Sequence, residues 1–205
     1  SMLVFMAFYV RFNKHFIAFA QGIVWKKSDW NLFKKIIRLG FPSALQMFFE
    51  VVFFTAAIWL SGFLGKNPQA ANQIALNLSS MTFMFAMGLG VTAMIRVGNQ
   101  KGKGDFITLK RVAYSIFLLI FLFDILFCIF FLIMNSYLPW IYLDGSNPLQ
   151  ITDVRAVVQM ASTLLIVSAF FQISDGLQAV VLGALRGLQD VNIPALITFF
   201  SYGIF

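Results

Sequence analysis

The chain has 205 residues, of which 60% are hydrophobic and 11% are charged, and its formal net charge is +7. Soluble domains average about 45–50% apolar and about 25% charged residues. Because the apolar residues form long runs rather than an alternation, the composition excludes a soluble globular domain. The basic residues lie between these runs and not among the aromatic residues, so we expect no nucleic-acid partner. The single cysteine, Cys128, excludes an internal disulfide.

The apolar runs predict an all-α polytopic membrane protein with four complete transmembrane helices and two partial ones. A spanning helix needs about 20 residues. Residues 2–10 are too short to span, so they are predicted to end a helix whose start is missing, and a basic connector follows. The last apolar run, which begins at Pro194, is also too short. The complete spans are predicted at 36–63, 72–96, 110–136 and 156–185.

The basic residues predict the orientation of these spans. Seven Lys and Arg residues lie between Arg11 and Arg38, and five lie between Arg96 and Arg111. Cytoplasmic loops of membrane proteins carry an excess of Lys and Arg. We therefore expect a multi-pass protein of the cell (inner) membrane, with residues 11–35, 97–109 and 186–193 on the cytoplasmic side.

The stretch "GNQKGKGD" (98–105) is rich in glycine, as phosphate-binding loops are, but it lacks their Gly-Lys-Ser/Thr ending and their preceding strand. It is predicted to be a flexible cytoplasmic turn. The sequence also contains no nucleophile and base at motif spacing and no metal-ligand cluster, so an enzyme is not expected.

Three carboxylates fall inside the predicted spans: Glu50, Asp124 and Asp175. A helical rise of about 1.5 Å per residue places them about 18, 20 and 16 Å from the nearest cytoplasmic arginine in sequence. A carboxylate at this depth costs several kcal/mol unless it is paired, hydrated or protonated. Each is therefore a candidate functional residue.

The helical faces separate the three acids. Polar side chains flank Glu50 and Asp175 at three- and four-residue steps and continue on the second span, which predicts a water-accessible cavity. Its predicted lining, besides the two acids, is Gln46, Gln73, Asn77, Gln172 and Gln178. Asp124 instead has aromatic neighbours at the same spacing: Phe117, Phe121, Phe127 and Phe131. It is predicted to be a structural acid outside the cavity.

Four stretches resemble the multidrug and toxic compound extrusion (MATE) family of cation-coupled antiporters: "LGFPSALQMFFE" (39–50), "AANQIALN" (70–77), "RVGNQKGKGD" (96–105) and "FQISDGLQAVVLGALRGLQDVNIP" (171–194). The resemblance implies a fragment of a twelve-helix, two-lobe transporter. Residues 1–10 would end helix six, residues 11–35 would link the lobes, and residues 36–205 would form a truncated C-terminal lobe, with helices seven to ten and the start of helix eleven. Its partners would be membrane lipid, the N-terminal lobe and the remaining helices.

The resemblance implies secondary active multidrug efflux, by Na⁺- or H⁺-coupled antiport of amphipathic organic cations, with no cofactor beyond the coupling ion. Glu50 and Asp175 match the paired acids of the family and would couple the cation, as Na⁺ ligands in a sodium-coupled protein. Some sodium-coupled members place a tyrosine one turn before the aspartate, where this chain has Phe171. Arg186, in the signature that ends helix ten, would be structural.

Two other functions stay open at this point. A lipid-linked oligosaccharide flippase of the same superfamily would need basic residues in its cavity to bind a pyrophosphate. A non-transporting membrane subunit is the second alternative.

Overall fold

The computed structural model describes Tyr9, residues 30–143 and residues 151–203. It divides into two compact units, Ser1–Phe41 and Pro42–Phe205, and each is described by itself. Apart from Tyr9, the predicted helix end at 2–10 and the connector as far as residue 29 lie outside the described residues. In the first unit, the Trp30 and Phe33 rings stack with their centroids 5.2 Å apart.

The described residues form five α-helices and one 3₁₀-helix. They are α1 (Trp30–Phe63), α2 (Lys66–Lys103), α3 (Phe106–Met134), the 3₁₀-helix (Leu138–Ile141), α4 (Ile151–Gly187) and α5 (Asn192–Gly203). Helices α1 to α4 are long and apolar enough to cross a membrane, which confirms the predicted all-α class and its four complete spans. Helices α2 and α4 extend beyond their predicted spans at both ends, because their polar end turns also stay helical.

The connection between α2 and α3 consists of only Gly104 and Asp105. Gly104 has φ +73°, a left-handed conformation that glycine adopts without steric cost. Asp105 caps α3, because its carboxylate accepts a hydrogen bond of 2.9 Å from the backbone N–H of Thr108. The prediction of a flexible turn over 98–105 is therefore wrong for most of its length, since α2 remains helical as far as Lys103.

Helices α2, α3 and α4 pack against one another, and the α2–α4 interface is the most extensive. Glycines bring the backbones of α2 and α4 into direct contact. A Cβ atom on Gly183 would lie 2.7 Å from the carbonyl carbon of Gly90, and one on Gly187 would lie 2.5 Å from the carbonyl oxygen of Met94. Close approach through small residues is a common way to pack helices in membranes, where van der Waals contact replaces the hydrophobic effect.

The buried apolar residues of these three helices form two separate clusters. The first includes Leu78, Cys128 and Ala169, and the second includes Ala86, Ile120 and Val180. The two clusters are separated by about two turns on α2 and α3 and by about three turns on α4, and polar side chains occupy this gap. We call four of them the polar layer: Ser79, Thr82, Asp124 and Gln172. The candidate site lies at the level of this layer.

Candidate cation site

A cavity of about 450 Å³ lies among the helices of the second unit. Helices α1, α2 and α4 supply most of its lining, and α3 contributes Asp124. Six of the residues predicted from the sequence line it: Glu50, Gln73, Asn77, Gln172, Asp175 and Gln178. Gln46 is not part of the lining. The structure thus brings the two predicted cation-coupling acids to one cavity, from two different helices.

Aromatic and methionine side chains form the apolar part of the cavity wall: Met47, Phe54, Phe83, Met87 and Phe171. The rings of Phe54 on α1 and Phe171 on α4 meet edge to face, with their centroids 6.4 Å apart. Aromatic faces attract cations, and methionine adapts to irregular ligands. The wall therefore suits a ligand that combines apolar surface with positive charge. Phe171 offers no oxygen to a metal ion at this position.

Arg186 lies at the cavity beside Glu50 and attracts its carboxylate. The Nη2 of Arg186 donates a hydrogen bond of 3.2 Å to the Oε1 of Gln46, which is almost fully buried on α1. The polar side chain of Gln46 is therefore used to hold this arginine rather than to line the cavity. Arg186 in turn supplies a positive charge that partly balances the acids of the cavity.

The carboxylates of Glu50, Asp175 and Asp124 line the same cavity from α1, α4 and α3, so neighbouring members repel each other when both are ionised. The acids thus form a series across α1, α4 and α3. A small cation bound between Glu50 and Asp175 would remove their mutual repulsion and would neutralise part of the negative charge of the cavity. An organic cation in the cavity would offer the same compensation, so the two ligands would compete for one pair of carboxylates.

A family model described as MatE matches residues 42–205, and this range contains every residue that lines the cavity. This chain belongs to the MatE family. The assignment agrees with the resemblance seen in the four sequence stretches. MatE proteins are transporters rather than enzymes, so the expectation that this chain is not an enzyme is confirmed.

Several curated MatE relatives carry a name that refers to drug resistance. The chain is 34% identical to "Probable multidrug resistance protein NorM" of Agrobacterium fabrum over 97% of its own length and 42% of the relative's. It is 34% identical over 98% of its length to the protein of the same name from Shewanella oneidensis. For "Multidrug resistance protein NorM" of Photobacterium profundum, the identity is 32% over 98% of this chain. The chain spans about two-fifths of the length of these relatives.

Asp124 is the cavity residue that sequence reasoning placed wrongly in this MatE chain. It was predicted to lie outside the cavity, but it lines the cavity and is buried. The buried face of α3 runs through Ile120, Asp124 and Cys128 at four-residue steps. That face carries the packing contacts, whereas the neighbouring Phe121 is exposed. Because almost every residue around Asp124 on α3 is apolar, no signal in the sequence singles out this face.

Proposed function

We propose that this chain forms part of a secondary active transporter of the cell membrane, which exports amphipathic organic cations in exchange for Na⁺ or H⁺. Glu50 and Asp175 would be its shared cation site. The observation that carries the proposal is that both acids line one cavity, whose wall also includes three phenylalanine and two methionine side chains. Residues 11–35, 97–109 and 186–193 would be cytoplasmic, and the rest of the transporter would supply the other lobe.

The names of the relatives support drugs as the exported substrates. The charge of the cavity favours cations among them, because Glu50, Asp124 and Asp175 outnumber Arg186, the one basic residue among the described residues that line it. A pyrophosphate would meet a net negative surface there, which argues against the flippase alternative. Alternating access would let the organic cation and the coupling ion bind these acids in turn, from opposite sides of the membrane.

The test is drug efflux from proteoliposomes that contain the complete transporter carrying this chain, driven by imposed Na⁺ or H⁺ gradients. We expect Glu50→Gln and Asp175→Asn each to abolish gradient-driven efflux. The double variant should be no worse than either single one, because residues that act as a unit are non-additive. Comparison of the two gradients identifies the coupling ion.

The matched control is Asp105→Asn, which removes a carboxylate at the exposed turn between α2 and α3. Asparagine also caps helices, so this variant should transport like the wild type. If both cavity variants keep gradient-driven efflux at normal expression, Glu50 and Asp175 are not the coupling site.

A further inference from the structure

The polar layer lies inside the packed bundle of α2, α3 and α4, between two apolar clusters. Burying polar groups between apolar layers is costly unless each group has a partner. Yet within the described residues three atoms of this layer are buried without a hydrogen-bond partner: Ser79 Oγ, Asp124 Oδ2 and Gln172 Nε2. Two of these atoms, in Ser79 and Asp124, are oxygens that could bind a cation, whereas the amide nitrogen of Gln172 can only donate a hydrogen bond.

Asp124 is the charged member of this layer, and its residue exposure is only 5%. Its carboxylate lies against the backbone of α4 at Gly176. A Cβ atom at that position would lie 2.5 Å from either carboxylate oxygen, so a larger residue at 176 would displace the acid. Glycine at 176 thus creates the space that Asp124 occupies next to Asp175. The carboxylate is held at a helix interface and does not extend into lipid.

Neutral oxygen atoms lie on α2 and α4, the two helices that pack against α3. The hydroxyl of Thr82 on α2 donates a hydrogen bond of 2.9 Å to the Oε1 of Gln172 on α4. Gln172 is itself 8% exposed, and it lies one turn before Gly176 on the same face of α4. Ser79 lies one turn before Thr82 on α2. Carboxylate, amide and hydroxyl oxygens are the ligands that hard cations prefer.

The charges of the cavity also leave Asp124 uncompensated. Arg186 can balance one carboxylate, and the cation proposed for the Glu50–Asp175 pair balances a second. Within the described part of the chain, no three His, Cys, Asp or Glu residues are placed to hold one metal ion together. A cation that balances the third carboxylate would therefore take a position of its own.

We propose that Asp124, with the neutral oxygens of the polar layer, forms a second Na⁺ site beside the Glu50–Asp175 pair. This proposal rests on the proposed function, because it adds a second coupling ion to the same transporter. Na⁺ is the occupant because the hydroxyl and amide oxygens matter to a metal ion, whereas a proton needs only the carboxylate. Two bound Na⁺ ions would make efflux depend more steeply on the Na⁺ gradient than one ion would.

The test measures ²²Na⁺ binding to the purified complete transporter over a range of Na⁺ concentrations up to saturation, which gives both the number of bound ions and their affinity. Asp124→Asn should lower the number of bound Na⁺ ions per protein by one, and Asp105→Asn should leave it unchanged. Thr82→Val keeps the carboxylate and removes one neutral oxygen, so it should preserve the number of ions but weaken their affinity several-fold. Because this second variant is nearly isosteric, it tests the site even if Asp124→Asn folds poorly.

An unchanged ion number in folded Asp124→Asn, with unchanged affinity in Thr82→Val, overturns the second site. A wild-type protein that exports drug on a proton gradient but binds no Na⁺ also overturns it, and leaves the proposed function intact. A wild-type protein that exports no drug under either gradient overturns the proposed function itself, whatever its ion number.

Discussion

The contact between α2 and α4 yields a prediction whose size can be worked from the structure. In Gly183→Ala, the new methyl group would lie 2.7 Å from the carbonyl carbon of Gly90 and 2.9 Å from its Cα. Carbon atoms pack best at about 3.5–4.0 Å, so the helices would have to separate by about 1 Å at this point. Both colliding groups are fixed to a backbone, and neither can rotate away.

We expect this substitution to lower the free energy of unfolding by about 2–3 kcal/mol, the upper part of the usual range for overpacking. A gap of about 1 Å also forfeits a quarter to a half of the dispersion energy of the atom pairs that it separates. If the separation extends to the polar layer, the 2.9 Å hydrogen bond from Thr82 to Gln172 would lengthen beyond hydrogen-bond distance. Drug efflux should then fall together with stability.

The measurement is equilibrium unfolding of the complete transporter in detergent, and Gly88→Ala is the matched control. Gly88 lies on α2, two residues before Gly90, and a Cβ atom there would meet nothing within 4 Å. Because alanine is the better helix former, this control should be neutral or more stable by up to about 1 kcal/mol. Equal stability of the two variants would refute the inferred backbone contact between Gly183 and Gly90.

Two further predictions concern the orientation of the helices and the cap at the turn between α2 and α3. In a cysteine-free background, a cysteine replacing Lys103 should react with impermeant reagents from the cytoplasm and one replacing Asn147 from outside; the opposite pattern would reverse the orientation. Hydrogen bonds from the side chain and backbone of Thr108 hold the pKa of Asp105 below its ordinary value. The cap should therefore stabilise α3 above about pH 4 and weaken as the pH falls below that. At neutral pH, Asp105→Ala should speed amide exchange at Thr108, whereas Asp105→Asn should not, and equal rates would show that the cap is not needed.

Hydropathy was sufficient to predict the spanning helices, because lipid requires long apolar stretches with all backbone hydrogen bonds satisfied internally. The residues at which these helices begin and end were less predictable. The segment that precedes Gly104 is rich in glycine and lysine, and only the positive φ and the capped Asp105 show that the turn is two residues long. Composition indicates that a turn exists, but not where a helix stops.

Part of the candidate site could also be predicted from the sequence, and part could not. The polar faces around Glu50 and Asp175 could be read from one helix at a time, since helical spacing places their amides on one side. Asp124 could not be placed so easily, because its position depends on Gly176, fifty-two residues later in the chain. Which face of an almost uniformly apolar helix is buried depends on its partners, and a periodicity of apolar residues alone does not reveal them.

The two-residue connection at Gly104 and Asp105 also bears on how the protein is made. With so short a link, α2 and α3 cannot enter the bilayer as independent segments, and we expect the insertion machinery to release them as one helical hairpin. Basic residues on both sides of the turn, Lys101, Lys103, Lys110 and Arg111, would keep its tip from crossing. The partner of Lys101 is synthesised later, because its ammonium group donates a hydrogen bond to the carbonyl oxygen of Leu188. That contact can form only after α4 has been synthesised and has returned to the same side of the membrane.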